Sequence, residues 1–152
     1  MKEWLIAYGI GAVCGSRSLL GPALVANTSS GRWPLGGPLA AAAHLPMGRA
    51  LMAAMAAAEL VADKNSRMPA RTEALPLAGR LTMGAMSAAA CARPSQRVPA
   101  AVAGAIGAYT GTYLFFHLRR LATTRLGVSN VVAGAAEDAV AIGLGAAMMR
   151  CR

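Results

Sequence analysis

The residues that could do chemistry in this chain are charged side chains placed within long apolar runs. Only six residues of the chain are Asp or Glu, and most of them lie inside or at the end of such a run. If these runs cross a lipid bilayer, each charge inside one costs about 2.5–3.5 kcal/mol, so each requires a partner, a polar cavity or a function. The charged residues in question are Arg17, Glu59, Asp63, Glu137 and Asp138.

The spacing of the acids indicates where they point. Glu59 and Asp63 are four residues apart, so they share one face of a helix. Small residues surround Glu137 and Asp138, which indicates packing on another helix rather than on lipid. An acidic pair that faces the interior of a bundle is typical of an ion or proton site. The alternative is a buried ion-pair network with Arg17 that only fixes how the helices pack.

Other kinds of chemistry lack their motifs. The three cysteines, Cys14, Cys91 and Cys151, form no C-x-x-C pair, and neither they nor His44 and His117 have metal-ligand spacing. The sequence contains no P-loop, no nucleophile elbow and no Gly-rich dinucleotide turn. It therefore predicts no catalytic residue, no metal and no cofactor. Enzymatic activity is left undecided but disfavoured.

Composition indicates a membrane protein with one domain over residues 1–152. Hydrophobic residues make up 56% of the chain and charged residues 14%, whereas soluble domains are nearer 25% charged. The net charge of +9 lies mostly in the gaps between apolar runs, where Lys and Arg would meet anionic lipid headgroups. Because no basic stripe interleaves with aromatic residues, membrane lipid is the predicted partner and nucleic acid is not.

The apolar runs predict an all-α polytopic membrane helix bundle of about five spans. The first run is interrupted by Gly21 and Pro22, which predict a break or kink in its far half. Residues 39–45 are apolar but too short to span, so they predict a short re-entrant or interfacial helix. An odd number of spans would leave the two termini on opposite sides of the membrane. The five runs are residues 4–26, 45–64, 77–92, 99–118 and 130–149.

Two segments also resemble each other. Residues 10–16, Ile-Gly-Ala-Val-Cys-Gly-Ser, align with residues 106–112, Ile-Gly-Ala-Tyr-Thr-Gly-Thr. An odd number of spans between the copies would turn the second upside down, giving the inverted repeat found in many transporters. Chance similarity between Gly- and Ala-rich helices is the alternative. Each copy carries a Gly-x-x-x-Gly pair that predicts close helix packing within the protomer, with a homo-oligomer interface as the alternative: Gly11 with Gly15, and Gly107 with Gly111.

A larger set of positions resembles a family pattern. It comprises Gly-Ser-Arg-Ser at 15–18, Ala-Glu-Leu-Val-Ala-Asp-Lys at 58–64, Leu-Ala-Gly-Arg at 77–80 and Ala-Glu-Asp at 136–138. On these residues the chain resembles the bacterial integral-membrane family called domain of unknown function 4126, although its segment 65–69 is longer before the proline. The resemblance implies a multi-pass protein of the bacterial inner (cytoplasmic) membrane, and it implies no reaction. It also implies a shared charged site, which comprises Arg17, Glu59, Asp63, Lys64, Arg71, Arg80, Glu137 and Asp138.

These observations predict a small integral membrane protein with a buried charged site, which acts as an ion- or proton-linked transporter or channel. Arg17 would lie at a break of the first helix and face the acids of the second and fifth runs. The alternative from another class is a membrane scaffold or assembly factor whose buried charges only fix helix packing. An intramembrane enzyme that acts on lipid is the third hypothesis.

Overall fold

The structure is a computed structural model that describes residues 2–28, 45–62 and 72–150. Within these ranges the chain is helical and contains no strand, so the predicted all-α class is confirmed. The predicted short helix at residues 39–45 lies almost wholly outside the described residues. The elements are α1 (Lys2–Ser16), α2 (Leu20–Thr28), α3 (Pro46–Ala62), α4 (Ala74–Cys91), a 3-10 helix (Pro94–Gln96), α5 (Arg97–Arg125) and α6 (Asn130–Arg150).

The first apolar run forms a helical hairpin and not one span. After α1 the chain reverses over residues 17–19, and the Leu20 N–H donates to the Arg17 carbonyl across the turn at 3.2 Å. α2 then runs back along α1, because Gly21 lies against Cys14 while Val25 packs in one cluster with Ile10. At 1.5 Å per residue α1 is about 22 Å long and α2 about 13 Å, so neither crosses a hydrocarbon core of about 30 Å.

The reversal lies before Pro22 and not at it. Pro22 is the third residue of α2, where a backbone N–H would have no partner within the helix, so proline is tolerated there. If α1 continued through this point, the Pro22 ring would clash with the carbonyl of Ser18, four residues earlier. The predicted break at Gly21 and Pro22 therefore falls one helical turn earlier, at residues 17–19.

Helices α4 and α5 both pack on α1 and run in opposite directions. Arg80 of α4 contacts the end of α1, whereas Ala88 packs near its beginning, beside Ala7, so α4 is antiparallel to α1. α5 runs parallel to α1: a Cβ added at Gly11 would meet the Gly104 carbonyl, and one added at Gly15 would meet the Ala108 carbonyl.

The last described helix, α6, is antiparallel to α1. Met148, near the end of α6, lies beside Gly9 of α1, whereas Ser16, at the end of α1, contacts Glu137 near the start of α6. The beginning of α1 and the end of α6 therefore lie at the same end of the bundle. This arrangement differs from the predicted placement of the termini at opposite ends, because the hairpin adds one reversal that the count of five straight spans omitted.

The extra reversal also changes the relative direction of the two similar segments. The segments 10–16 and 106–112 lie on α1 and α5, which run side by side in the same direction. The two copies are therefore not inverted relative to each other, and the hypothesis of an inverted repeat built from these segments is wrong. Their glycines face each other's helices instead: Gly107 faces the Tyr8 carbonyl and Gly111 faces Ala12, in the same way as Gly11 and Gly15 face α5.

The interior of the bundle is formed by small residues. A Cβ at Gly84 of α4 would lie 2.7 Å from the Ala108 Cβ and 2.8 Å from the Gly104 carbonyl oxygen, both of α5. Since this is closer than real Cβ atoms approach, α1, α4 and α5 pack nearly backbone to backbone. Large apolar side chains lie outside, on every long helix; examples are Trp4, Leu51, Leu75, Val102 and Val132, all more than half exposed.

Two of the described helices are long and apolar enough to cross a membrane. One is the stretch Pro94–Arg125, which includes α5, and the other is α6, Asn130–Arg150. The helices α3 and α4 are shorter than these two, with 17 and 18 residues. Length and composition alone therefore support two membrane-spanning helices among the described residues, fewer than the five predicted.

Candidate functional site

Six charged residues meet around the hairpin turn, residues 17–19. Arg17 belongs to the turn itself and is 1% exposed. Its N–H continues α1 by donating to the Val13 carbonyl at 2.9 Å, so its side chain leaves from the buried end of that helix. A guanidinium in this position is always charged, and the groups around it must therefore compensate for the water that it has lost.

Asp138 of α6 makes the shortest of the described ion pairs with Arg17. The Arg17 Nε donates a hydrogen bond of 2.8 Å to Asp138 Oδ1, and Nη2 lies 2.6 Å from the same oxygen. The neighbouring acid is farther away, with Arg17 Nη1 3.9 Å from Glu137 Oε1. Both acids are buried. The pair of adjacent acids on α6 thus faces the hairpin turn.

Glu137 connects the turn to α5. The Ser16 hydroxyl donates to Glu137 Oε1 at 3.0 Å, and Arg119 Nη1 lies 3.6 Å from Glu137 Oε2. Arg119 also donates from Nε to the Asn130 side-chain oxygen at 2.9 Å, at the first residue of α6. One guanidinium therefore links a buried carboxylate to the exposed beginning of α6.

Arg80 of α4 satisfies the end of α1. Its Nη1 donates to the carbonyl oxygens of Gly15 and Ser16, each at 2.6 Å. The Thr112 hydroxyl of α5 contacts the Gly15 carbonyl as well, at 3.1 Å. The last carbonyls of a helix lack intrahelical partners and carry partial negative charge, so a buried cation stabilises the end of α1.

Glu59 of α3 satisfies the start of α2 in the complementary way. Its Oε1 accepts from the Ser18 N–H at 2.8 Å and from the Ser18 hydroxyl at 2.7 Å, and its Oε2 accepts from the Leu19 N–H at 2.8 Å. These N–H groups begin α2, where partial positive charge favours an anion. Glu59 is half-buried, and its hydrogen bonds among the described residues come from neutral donors.

Five of the predicted site residues therefore converge on one turn, contributed by three helices and the turn itself. Arg17 contacts the acids of α6, as expected. The Glu59 carboxylate binds the backbone N–H groups of Ser18 and Leu19 and the Ser18 hydroxyl. Asp63, Lys64 and Arg71 lie outside the described residues. The five that converge are Arg17, Glu59, Arg80, Glu137 and Asp138.

Sequence reasoning missed four further members of the site: Ser16, Ser18, Thr112 and Arg119. Arg119 directly follows the apolar run 99–118, where a basic residue is expected at lipid headgroups, and only the tertiary structure shows its guanidinium against Glu137. Ser16, Ser18 and Thr112 are common residues that carry no motif. A signal was present for Ser16 and Ser18, since both flank the one Arg within the first apolar run.

The described charges of the site balance, with three guanidinium groups (Arg17, Arg80, Arg119) against three carboxylates (Glu59, Glu137, Asp138). No group of three or more His, Cys, Asp or Glu residues that could hold a metal ion occurs among the residues that the structure describes.

Comparison of the chain with models of protein families, with curated proteins and with solved structures finds no match. The resemblance to domain of unknown function 4126 stays a prediction.

Proposed function

We propose that this chain is a polytopic inner-membrane protein in which α1 and α2 form a re-entrant hairpin. The arrangement of apolar and charged groups supports this: large apolar side chains cover the outside, whereas Arg17, Arg80, Glu137 and Asp138 are buried. Charges also bracket the longer helices at about the thickness of a hydrocarbon core. At 1.5 Å per residue, Arg97 and Arg119 of α5 are about 33 Å apart.

Within that membrane we propose an ion- or proton-linked transport function centred on the hairpin turn. The single observation that carries this proposal is the buried turn at residues 17–19, where a helix ends, another begins and charged groups from α3, α4 and α6 converge. Irregular backbone at membrane depth occurs where it is buried in protein or lines a cavity, and broken helices form the binding sites of many transporters.

Glu59 is the group proposed to bind the transported proton or cation. Among the described residues its hydrogen bonds come from neutral donors, whereas Asp138 contacts two nitrogens of Arg17. Protonation or cation binding at Glu59 would weaken its hold on the Ser18 and Leu19 N–H groups. The turn would then separate from α3, which couples occupation of Glu59 to movement of the hairpin.

A scaffold or assembly factor is the second candidate, and a specific observation favours it. Arg17, Asp138 and Glu137 form a buried network in which each carboxylate contacts a guanidinium. Such a network can fix the register between helices without any transport. In that case Glu59 serves only to hold the hairpin turn against α3.

The test is Glu59→Gln, which keeps the size of the side chain but removes its titratable charge. If Glu59 carries the transported proton or cation, proteoliposomes containing the variant should lose ion-gradient-driven flux while thermal stability in detergent stays close to that of the wild type. If Glu59 only holds the turn, the variant should lose stability, and the wild type should show no flux under any proton, Na⁺ or K⁺ gradient.

Glu3→Gln is the matched control. Glu3 also lies on a bundle helix and pairs with an arginine, at 3.3 Å from Arg93, but both side chains are exposed. It should leave flux and stability unchanged. Absence of flux in wild-type proteoliposomes, together with a large loss of stability in Glu59→Gln, would reject transport and leave the scaffold.

A further inference from the structure

Helices α5 and α6 are neighbours in sequence, yet they pack together far less extensively than α5 packs on α1 or α4. The connection between them is short and turns at Gly127, which has a φ of 65°. Beside this connection, the polar contacts between the two helices are made by Arg119. Its side chain therefore lies between α5 and α6.

The position of the Arg119 guanidinium is defined at three points. Nε donates to Asn130 at the exposed beginning of α6, and Nη1 lies 3.6 Å from Glu137, two turns deeper. Between these contacts the guanidinium crosses Gly134, where an added Cβ would be 3.2 Å from Arg119 Nη2. The missing side chain at Gly134 therefore provides the space in which the guanidinium lies.

The groups beneath Arg119 are polar all the way to the turn. Glu137 Oε1 accepts from the Ser16 hydroxyl at 3.0 Å, and Ser16 is adjacent to Arg17. Asn130, Arg119, Glu137 and Ser16 thus form a continuous series of polar groups, joined by two hydrogen bonds and one ion pair, from an exposed residue to a residue with no exposure. Their polarity suits water-sized species, and the side chain of Arg119 lies across them between Asn130 and Glu137.

We propose that Arg119 is a gate that closes a polar path between α5 and α6, leading from the Asn130 end of the bundle to the hairpin turn. The use of the path by a transported species rests on the proposed function, whereas the closure itself does not. When the Arg119 side chain swings away from Glu137 and Asn130, the path admits water-sized species to Glu137 and Ser16. Arg119 is a positioning residue in this scheme and does not itself carry the transported species.

The experiment measures access to the inner end of the path with a thiol probe. Ser16→Cys is introduced after Cys14, Cys91 and Cys151 have been replaced by Ala, and the purified protein is treated with a charged, water-soluble methanethiosulfonate reagent. The buried thiol should react slowly. Addition of Arg119→Ala should accelerate the reaction by roughly tenfold or more, the change expected when hydrogen bonds to a charged group are lost.

Two further variants control this measurement. Arg93→Ala removes an exposed arginine at the other end of the bundle and should leave the reaction rate unchanged. Arg119→Lys keeps the charge but lacks the planar fork that contacts Asn130 and Glu137 together, so its rate should lie between those of the parent and Arg119→Ala. If Arg119→Ala loosens the fold, the Lys variant decides the matter, provided that its thermal stability equals the parent's.

The gate is rejected if Arg119→Ala and Arg119→Lys both react at the parent's rate, or if Arg93→Ala accelerates the reaction equally. A wild-type protein without ion flux, whose Arg119 variants nevertheless open the path to Ser16→Cys, would reject transport and retain the gate. Flux that depends on Glu59, with no change of thiol reactivity in the Arg119 variants, would reject the gate and retain transport.

Discussion

Arg17 directs two nitrogens, Nε and Nη2, at one oxygen of Asp138, at 2.8 and 2.6 Å. The two residues are 121 positions apart in the chain, and this contact joins the first turn of the protein to its last helix. Because Arg17 is part of the turn, the pair fixes where the hairpin ends relative to α6. The hairpin cannot slide along the bundle without separating two buried charges.

Asp138→Asn should therefore destabilise the protein. The substitution keeps the shape of the side chain but leaves the Arg17 guanidinium with less negative charge, and breaking a buried pair costs about 3–5 kcal/mol. Unfolding by a denaturing detergent, followed by circular dichroism, measures the change. Glu3→Gln breaks an exposed pair and should have little effect. Equal losses in the two variants would contradict the assigned role of Asp138.

Gly107 of α5 and Gly143 of α6 should differ sharply in their tolerance of a methyl group. At Gly107 an added Cβ would overlap the Tyr8 carbonyl and lie 3.0 Å from the Ala12 nitrogen, so Gly107→Ala should cost about 1–3 kcal/mol. Nothing lies within 4 Å of a Cβ at Gly143. Gly143→Ala should therefore be neutral or stabilise by up to about 1 kcal/mol. Thermal unfolding in detergent distinguishes them, and similar behaviour would refute the close packing of α1 on α5.

Arg80→Gln should loosen the hairpin turn. The carbonyls of Gly15 and Ser16 would lose a charged donor, and a hydrogen bond to a charged group contributes about 1.5–3 kcal/mol. Hydrogen–deuterium exchange should rise at residues 17–20 while exchange in the middle of α5 stays slow. Arg93→Gln, at an exposed arginine outside the turn, is the control and should change neither. Unaltered exchange at the turn in Arg80→Gln would show that α1 does not depend on this contact.

Reporter fusions at the two ends of the chain should report the same side of the membrane. Met148 lies beside Gly9 and Glu3 pairs with Arg93, so the described ends of α1 and α6 are at one end of the bundle. An alkaline phosphatase and a green fluorescent protein fusion at each terminus would measure this. Opposite sides for the two termini would restore five straight spans and exclude the re-entrant hairpin.

The sequence by itself determined the class of structure and part of the site. Its small-residue, apolar runs predict helices because they have the length and composition of buried helices, and the described residues contain no other element. The bounds of the helices agree less closely with the predicted runs. α5 extends to Arg125, beyond the predicted end at Leu118, because amphipathic residues continue the helix after the apolar run stops. Charges inside apolar runs identified Arg17, Glu59, Glu137 and Asp138, since an isolated charge there is costly.

Only the tertiary structure decided the direction of the chain after residue 16. The run from 4 to 26 has the length and composition of one span, and nothing local distinguishes a kinked helix from a hairpin. The reversal is stabilised from a distance, by Arg80 at the end of α1 and by Glu59 at the start of α2. Those partners are 40 to 65 residues away in sequence, so the local sequence around the turn does not predict them. Only the packing of the helices brings them to the turn.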